Sequence, residues 1–296
     1  MAGAPDIVCI GSVLWDIIGR APAPMQAGAD VPGRIIRQPG GVAMNVAMAL
    51  RRFGLRPALL SAIGSDAEGE ALIAECRRLG LIADHIHRSD DLPTDRYMAI
   101  EDGNGLIAAV ADARSLEAAG ARVLAALENG ALGSAASPWE GAIAIDGNLT
   151  AGLLAEIAGS PLFALADLRV ASASSGKAER LLPFLGHGRA TLYVNLEEAG
   201  LMMNRRFAAA PEAAEALRAR GLARALVTDG GRAAAMAAPE GVFQALPPAV
   251  AVTRVTGAGD TFMAAHIAAE RQGARGAAAL DAALRAAAEH ISGVAG

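Results

Sequence analysis

The chain has 296 residues, 53% of them hydrophobic and 3% aromatic, so it can build a large core mainly from small aliphatic side chains. A net charge of −5 without a basic block excludes nucleic acid as the main partner, and two cysteines, Cys9 and Cys76, provide no disulfide framework. No apolar run reaches the roughly 18–20 residues that span a bilayer, and no signal peptide is recognisable. We therefore expect a cytoplasmic protein without a membrane partner.

The N-terminal third predicts two buried strands, two helices and two exposed β-rich segments. The apolar runs Ile7–Ile10 and 58–64 each end at a glycine, as buried strands that meet a loop often do, and residues 17–40, rich in Pro and Gly, predict an exposed hairpin. Helices are predicted over 43–53 and 66–80, each followed or ended by glycine. Residues 96–110 predict a β-hairpin, because a segment containing Asn-Gly separates two apolar runs.

From residue 142 onward, short apolar runs alternate with helical patterns. This alternation predicts a parallel sheet with right-handed crossovers. The predicted strands lie at 142–145, 162–166, 192–194 and 225–227, followed by a short antiparallel addition at 232–246, a strand at 250–252 and a helical segment at 256–295. We predict a single α/β domain over 1–296, with a small β-sheet lid formed by about 14–38 and 94–113.

Polar residues follow several of these strands. They are Ser12, Asp16, Asn148, Asp167, Asn195, Thr228, Asp229 and the 256–260 turn. Because ligands of open parallel sheets bind beyond the carboxyl ends of the strands, we expect these residues to share one crevice.

The segment 256–260 places two glycines and a carboxylate where an extended segment becomes a helix. A first helical turn without bulky side chains presents free N–H groups and the positive end of the helix dipole, which favours an anion. Asp260 in this turn either caps the helix or serves as a base beside a bound phosphate. The turn alone does not separate these two interpretations.

Two motifs together carry a resemblance to a known family. Gly40-Gly41-x-x-x-Asn45 and Thr256-Gly257-Ala258-Gly259-Asp260, in this order, resemble the signatures of the ribokinase-like (PfkB-type) carbohydrate kinases. The resemblance covers essentially the whole chain. It implies a three-layer α/β/α sandwich with a mostly parallel central sheet and a β lid, and a kinase that uses ATP and Mg²⁺.

The resemblance also implies roles for individual residues. Asp260 corresponds to the catalytic base, and Gly257, Ala258 and Gly259 correspond to the anion hole. The residues that correspond to contacts with a sugar or nucleoside are Ser12, Asp16, Gly40, Gly41, Asn45 and Asn148. Those that correspond to nucleotide contacts are Asn195, Thr228, Gly230, Gly231 and Lys177, with Glu198 ordering the metal through water. For Lys177, a solvated helix lysine is the alternative.

Within the family, several segments are most similar to pseudouridine kinases of the bacterial type, which implies phosphorylation of the 5′-hydroxyl of a nucleoside. In this interpretation the lid residues Thr94, Arg96, Tyr97 and Asp112 lie over the substrate. Trp15 either stacks on a substrate base or packs beneath the lid. A ribokinase, another sugar or nucleoside kinase, and a non-catalytic ligand-binding protein are the alternatives.

Two further expectations follow from the resemblance. Open strand edges in a lid favour pairing, and lids of the family often pair across a two-fold axis, so a homodimer through the lid is expected. Arg254 and Val255 stand where many members have Asp-Thr, whose aspartate helps to bind a monovalent cation. This departure puts activation by potassium in question.

Overall fold

A computed structural model describes residues 4–26, 28, 30–103, 105–253 and 256–293 of the chain. Strand β1 (Ile7–Ile10) is buried along its whole length, as expected for a strand covered on both faces. It lies within a sheet of eight strands whose other members are β4 (Pro57–Leu60), β9 (Ala142–Asp146), β10 (Asp167–Ala171), β11 (Ala190–Asn195), β12 (Arg224–Thr228), β13 (Ala234–Ala238) and β14 (Gly241–Ala245).

The spatial order of this central sheet is β14–β13–β12–β11–β10–β9–β1–β4. The six strands from β12 to β4 are parallel, and β13 and β14 add an antiparallel edge. The carboxyl ends of the parallel strands therefore meet at one edge of the sheet.

Helices cover both faces of the central sheet. They are α1 (Val42–Arg52), α2 (Ala67–Arg78), α3 (Arg114–Ala119), α4 (Ala125–Glu128), α5 (Ala151–Gly159), α6 (Leu196–Met203), α7 (Ala210–Arg218), α8 (Ala258–Arg271) and α9 (Gly276–Ser292). Successive residues of β1 point to opposite faces: Val8 and Ile10 join a core with α3 to α7, whereas Ile7 and Cys9 join a core with α1, α2, α8 and α9. The result is the three-layer α/β/α sandwich that the resemblance implied.

A four-stranded sheet projects from this body and forms the lid. Its strands are β2 (Leu14–Arg20), β3 (Arg34–Gly40), β7 (Arg96–Asp102) and β8 (Gly105–Asp112), in the order β3–β2–β7–β8. A separate parallel pair, β5 (Ala62–Gly64) and β6 (His87–Ser89), lies beside the base of the lid strands. The lid strands thus come from two distant parts of the chain, and their pairing brings these parts together.

The strand predicted at 162–166 is wrong. That stretch holds a 3₁₀ helix, Pro161–Phe163, whose first turn is capped by Ser160, and the strand follows as β10. Arg169 interrupts the apolar pattern of β10, yet it is buried because carboxylates pair with it. Asp167 consequently begins the strand and lies away from the edge where the carboxyl ends meet.

The strand predicted at 250–252 is also wrong. These residues form no strand, and Val250 and Val252 are exposed to 37% and 60%. Pro247 and Pro248, just before them, lack the N–H groups that a ladder needs. Helices α3 and α4 were not predicted, because their short apolar stretches do not establish a helical period.

Across the described ranges, no helix combines the length and apolar character needed to cross a membrane.

Candidate active site

A cleft of about 660 Å³ lies between the lid and the edge of the central sheet where the parallel strands end. It brings together residues from the lid, from α1 and from α8, although they are far apart in the chain. The predicted site residues that line it are Ser12, Asp16, Gly41, Asn45, Asn148, Lys177, Asn195, Glu198, Thr228, Gly257, Ala258, Gly259 and Asp260. Gly40, Thr94, Arg96, Asp112, Gly230 and Gly231 do not line it.

Helix α8 begins at the floor of this cleft. Gly257 precedes it with φ of 81°, a left-handed conformation that favours glycine, and no side chain caps the first turn. The N–H groups of the following residues, Ala258 and Gly259, therefore face the cleft without a side-chain acceptor. This is the geometry of an anion site at a helix N-terminus.

Asp260 lies in the first turn of α8 and does not cap it. Its Oδ2 accepts a hydrogen bond of 2.9 Å from Nδ2 of Asn45 on α1. Burial raises the pKa of Asp260 to about 7, and the charges of Asp146 and Asp16 act in the same direction, while the Asn45 bond opposes them. Of the two interpretations that the sequence left open, the helix cap is not what the structure shows, because no side chain caps α8.

The part of the cleft next to the start of α1 depends on close approach between backbone and side chains. A Cβ added at Gly40 would lie 2.1 Å from Oδ2 of Asp16, and one at Gly41 would lie 2.4 Å from the carbonyl oxygen of Ser12. Asp16, on β2, is only 7% exposed, and burial raises its pKa to about 6. The two glycines are thus required by the packing of Asp16 and Ser12 against the start of α1.

Asp146 is a site residue that the sequence analysis missed. It is 1% exposed at the end of β9, and its carboxylate accepts hydrogen bonds from the backbone N–H and the hydroxyl of Ser12 and from the N–H of Asn148. Nζ of Lys177 in turn donates to Oδ1 of Asn148 at 2.6 Å. Asp146 therefore organises a chain of hydrogen bonds across the cleft; the acidic residue at the end of an apolar strand was its only signal.

Asn195 and Glu198 form a reciprocal capping box at the start of α6. Oδ1 of Asn195 accepts from the N–H of Glu198 at 2.9 Å, and Oε2 of Glu198 accepts from the N–H of Asn195 at 2.8 Å. Burial raises the pKa of Glu198. The pair caps α6, and both residues line the cleft.

The predicted site residues at the end of β12 and in the loop that follows it do not all line the cleft. Thr228, at the end of the strand, lines the cleft, whereas Gly230 and Gly231 lie beyond its lining residues. Gly230 has φ of 57°, so glycine permits the turn that follows the strand.

Thr94, Arg96 and Asp112, which were expected over the substrate, do not line the cleft in this single chain. Thr94 is 2% exposed and bonds through its N–H and hydroxyl to Asp66, which caps α2. Asp112 pairs with Arg114 and lies opposite Arg96 in the ladder. Of the lid residues expected over the substrate, Tyr97 lines the cleft, together with Ala111 of β8 and with Leu14 and Asp16 of β2.

Trp15 packs into the core from the face of β2 opposite Asp16, and it does not line the cleft. It is 5% exposed, its Nε1 donates to the carbonyl of Glu68, and the guanidinium of Arg37 lies 4.3 Å from its ring centre. Of the two alternatives for Trp15, packing is the one that the structure shows.

The substitution expected to affect potassium lies at Arg254 and Val255, which are outside the described residues. In the described part of the same region, Nε2 of His290 lies 2.9 Å from the carbonyl oxygen of Thr256. This contact ties α9 to the turn that precedes α8.

The comparisons with known proteins agree with the two sequence motifs. A family model described as "pfkB family carbohydrate kinase" matches residues 4–294. Two curated pseudouridine kinases are similar: that of Arabidopsis thaliana is 31% identical over 102 residues, and that of Escherichia coli (strain K12) is 32% identical over 120 residues. These matches cover 34% and 40% of this chain, and 26% and 38% of the relatives' own lengths.

Solved structures share the fold over nearly the whole chain. A carbohydrate kinase from Agrobacterium tumefaciens has a TM-score of 0.78 and 26% identity, covering 96% of this chain and 90% of its own. A ribokinase from Arabidopsis thaliana, complexed with ribose and ATP, has a TM-score of 0.77 and 18% identity, covering 98% and 93%. The predicted ribokinase-like fold is confirmed.

Proposed function

This chain belongs to the pfkB family of carbohydrate kinases, and from that premise we propose that it transfers a phosphoryl group from ATP to the 5′-hydroxyl of pseudouridine. Members of the family are phosphotransferases with an alcohol acceptor, which agrees with the predicted enzyme class. The observation that carries the proposal is the hydrogen bond between Asn45 and Asp260, because it joins the two sequence motifs in one cleft. The names of the two curated relatives support pseudouridine as the acceptor.

Each group in the cleft has a part in this reaction. Asp260 accepts the proton of the attacking hydroxyl, and Asn45 holds the carboxylate in place for it. Asp16, buried on the inner face of the lid, accepts hydrogen bonds from other hydroxyl groups of the acceptor. The N–H groups at the start of α8 stabilise the charge that builds on the transferred phosphoryl group.

The residues of the other half of the cleft fit a nucleotide and Mg²⁺. Lys177 is the one cationic side chain among the described residues that line the cleft, and it suits a phosphate. No group of three or more candidate metal ligands of the His, Cys, Asp and Glu types occurs among the described residues. Mg²⁺ often binds through one carboxylate, waters and substrate phosphates, and Glu198 with its neighbour Asn195 suits that arrangement. When bound, ATP and Mg²⁺ supply the phosphoryl group and neutralise its charge.

An acceptor panel tests the proposal. The purified chain is assayed with ATP and Mg²⁺ on pseudouridine, uridine, ribose, fructose and adenosine, by ADP release and by mass spectrometry of the products. We expect pseudouridine to have the highest kcat/KM, with the phosphate on its 5′-oxygen. Strong turnover of ribose without turnover of pseudouridine would refute the proposal.

The Asp260→Asn variant tests the base. We expect kcat to fall by at least about 100-fold, since proton transfer by a positioned group contributes about 10²–10⁴ to the rate. ATP affinity and the thermal unfolding profile serve as controls for intact structure. An unchanged kcat would remove the assignment, and ATP binding without turnover of any acceptor in the parent chain would favour a ligand-binding protein.

We further propose that the lid pairs with the lid of a second copy of this chain. Asp16 and Tyr97 face the cleft, so the alternate residues of the same strands face away from it. On this outer face Ile35, Met98 and Val110 are 77%, 51% and 68% exposed. A contiguous apolar face on a sheet with open edges fits a self-complementary two-fold contact.

Light scattering after size-exclusion chromatography tests this pairing. The parent chain is expected at twice its monomer mass, and Val110→Glu is expected to yield monomers by placing a charge in the apolar contact. The matched variant Val242→Glu, at an exposed position of the far edge strand β14, is expected to stay dimeric. A monomeric parent chain would contradict the proposal.

A further inference from the structure

The last turn of α9 lies against the turn that precedes α8. Helices α8 and α9 are joined by the short connection 272–275, so they run antiparallel and the end of α9 returns to the start of α8. They also share one core, in which Phe262 and Ile267 of α8 pack in the same cluster as Leu280 and Leu284 of α9. The C-terminal residues of α9 therefore lie beside the first N–H groups of α8.

Two consecutive residues of α9, His290 and Ile291, hold the chain that enters this turn. The carbonyl oxygen of Ile291 accepts hydrogen bonds from the N–H of Thr253 at 2.8 Å and from its hydroxyl at 3.0 Å. Nε2 of His290 lies 2.9 Å from the carbonyl oxygen of Thr256. The chain before Gly257 is thus attached to α9 at residues 253 and 256, so the end of α9 determines where the turn lies.

The contact between His290 and Thr256 has a defined direction. A carbonyl oxygen only accepts hydrogen bonds, so Nε2 of His290 carries the hydrogen and donates it, whether the ring is neutral or charged. The edge of the ring also packs against the next residue, because a Cβ added at Gly257 would lie 3.1 Å from Nε2 and 3.4 Å from Cε1 of His290. The imidazole therefore contacts both the carbonyl before Gly257 and the backbone of Gly257 itself.

This turn decides how the first N–H groups of α8 are presented to the cleft. Gly257 has φ of 81°, and its carbonyl oxygen accepts from the N–H of Thr261 at 2.9 Å, which starts the helix. The intervening N–H groups of Ala258 and Gly259 receive their direction from this geometry. Stabilisation of a transition state depends on donors that are in place before the charge develops. A turn free to move would spread these donors over several positions and weaken their action.

The end of α9 would otherwise oppose an anion at the start of α8. The last carbonyl groups of a helix carry the negative end of its dipole, and those of α9 lie beside the positive end of α8. Thr253 satisfies the carbonyl of Ile291, and the N–H of Gly293 bonds to the carbonyl of His290 at 3.4 Å. The ring of His290 therefore presents a positive N–H group, and not a carbonyl, to the turn before α8.

We propose that His290 is a positioning residue for phosphoryl transfer: its N–H holds the Thr256 carbonyl, and thereby the N–H groups at the start of α8, in the geometry that stabilises the transferred phosphoryl group. The inference rests on the proposed kinase function, whichever alcohol accepts the phosphoryl group. His290 does not line the cleft, and it lines, with Thr256 and Gly257, a second cavity of about 500 Å³. It therefore acts on the reaction through the turn, without a place at the reacting atoms.

Three variants of His290 separate the hydrogen bond from the bulk of the ring. The amide nitrogen of glutamine lies about as far from its Cα as Nε2 of histidine, whereas that of asparagine lies about as far as Nδ1. His290→Gln thus keeps a donor at the right reach, and the matched variant His290→Asn keeps the same chemistry at the wrong reach. His290→Leu keeps bulk without a donor. kcat, the KM for ATP and the KM for the acceptor are measured for each, with the acceptor that the panel identifies.

The loss of the hydrogen bond should appear in kcat and leave both KM values nearly unchanged, because the donors of α8 act on charge that develops in the transition state. His290→Asn and His290→Leu are expected to lower kcat about fivefold, the effect of losing one typical hydrogen bond. His290→Gln is expected to stay within about twofold of the parent chain. A purely structural role would lower the thermal unfolding midpoint without changing kcat of the folded protein.

The outcomes distinguish this inference from the proposed function. The same ranking of the variants with an acceptor other than pseudouridine would overturn the proposed substrate and support the role of His290. An unchanged kcat in all three variants, an equal loss in His290→Gln and His290→Asn, or a loss confined to KM would overturn the role of His290 alone. If His290→Leu does not fold, the other two variants still decide the question. A parent chain that phosphorylates no acceptor would overturn both.

Discussion

The hydrogen bond between Asn45 and Asp260 allows a quantitative prediction of how activity depends on pH. In the parent chain the pKa of Asp260 is raised to about 7, mainly by burial, and the hydrogen bond from Asn45 stabilises the charged form. Replacing Asn45 by Ala removes this donor, while the nearby carboxylates of Asp146 and Asp16, which also raise the pKa, remain. The pKa of Asp260 should therefore rise further, which would leave less of the base ionised at neutral pH.

The size of this change follows from the energy of the hydrogen bond. A bond to a charged group contributes about 1.5–3 kcal/mol, and 1.36 kcal/mol corresponds to one pKa unit, so the lower end of this range gives a rise of about one unit, which we take as the expected value. At pH 7 the ionised fraction of Asp260 would fall from about one half to about one tenth, a roughly fivefold loss of base. Above pH 9 the loss should nearly vanish.

The assay is the pH profile of kcat/KM for the acceptor, which reports groups of the free enzyme. The parent chain should lose activity about tenfold per unit below pH 7, and more steeply below pH 6, where Asp16 with its raised pKa also becomes protonated. If Asn45 also contacts the acceptor directly, losing that contact would lower kcat/KM by the same factor at every pH. It would not change the pH at which activity falls on the acidic side of the profile. An acid limb that stays in place or moves to lower pH in Asn45→Ala would refute the reasoning.

Three further predictions concern stability and acceptor binding. Asp260→Asn should be more stable than the parent chain to urea at pH 8, with a gain that shrinks as pH falls from 7 towards 4, because the surroundings that raise the pKa of this carboxylate destabilise only its ionised form. Equal urea denaturation midpoints for the variant and the parent chain at pH 8 and at pH 4 would contradict this. Glu270→Gln should lower the free energy of unfolding by about 3 kcal/mol, because it leaves the buried guanidinium of Arg169 underpaired; a loss below about 1 kcal/mol in urea titrations would contradict it. Gly40→Ala should raise the KM for the acceptor and leave the KM for ATP unchanged, because the added Cβ would displace the Asp16 carboxylate. Steady-state kinetics with each substrate varied in turn measures both constants. An equal rise of the two KM values would contradict this prediction.

Sequence patterns do not predict where charged side chains are buried in this fold. Arg169 interrupts the apolar run of β10, and this interruption led to a strand prediction five residues too early. The guanidinium is tolerated in the core because Glu270 of α8 and Asp167 pair with it. Glu270 is about a hundred residues away in the chain, so no local pattern announces the pairing.

The sequence by itself determined the family, the α/β class and the order of the two motifs, because turns before helix N-termini and close backbone approaches require particular residues at particular positions. Gly257 and Asp260 are recognisable for this reason. The tertiary structure decided which lid residues meet the cleft. Arg96 and Tyr97 are neighbours in the chain, but successive residues of a strand point to opposite faces, and only pairing with β2 and β8 determines which face covers the site.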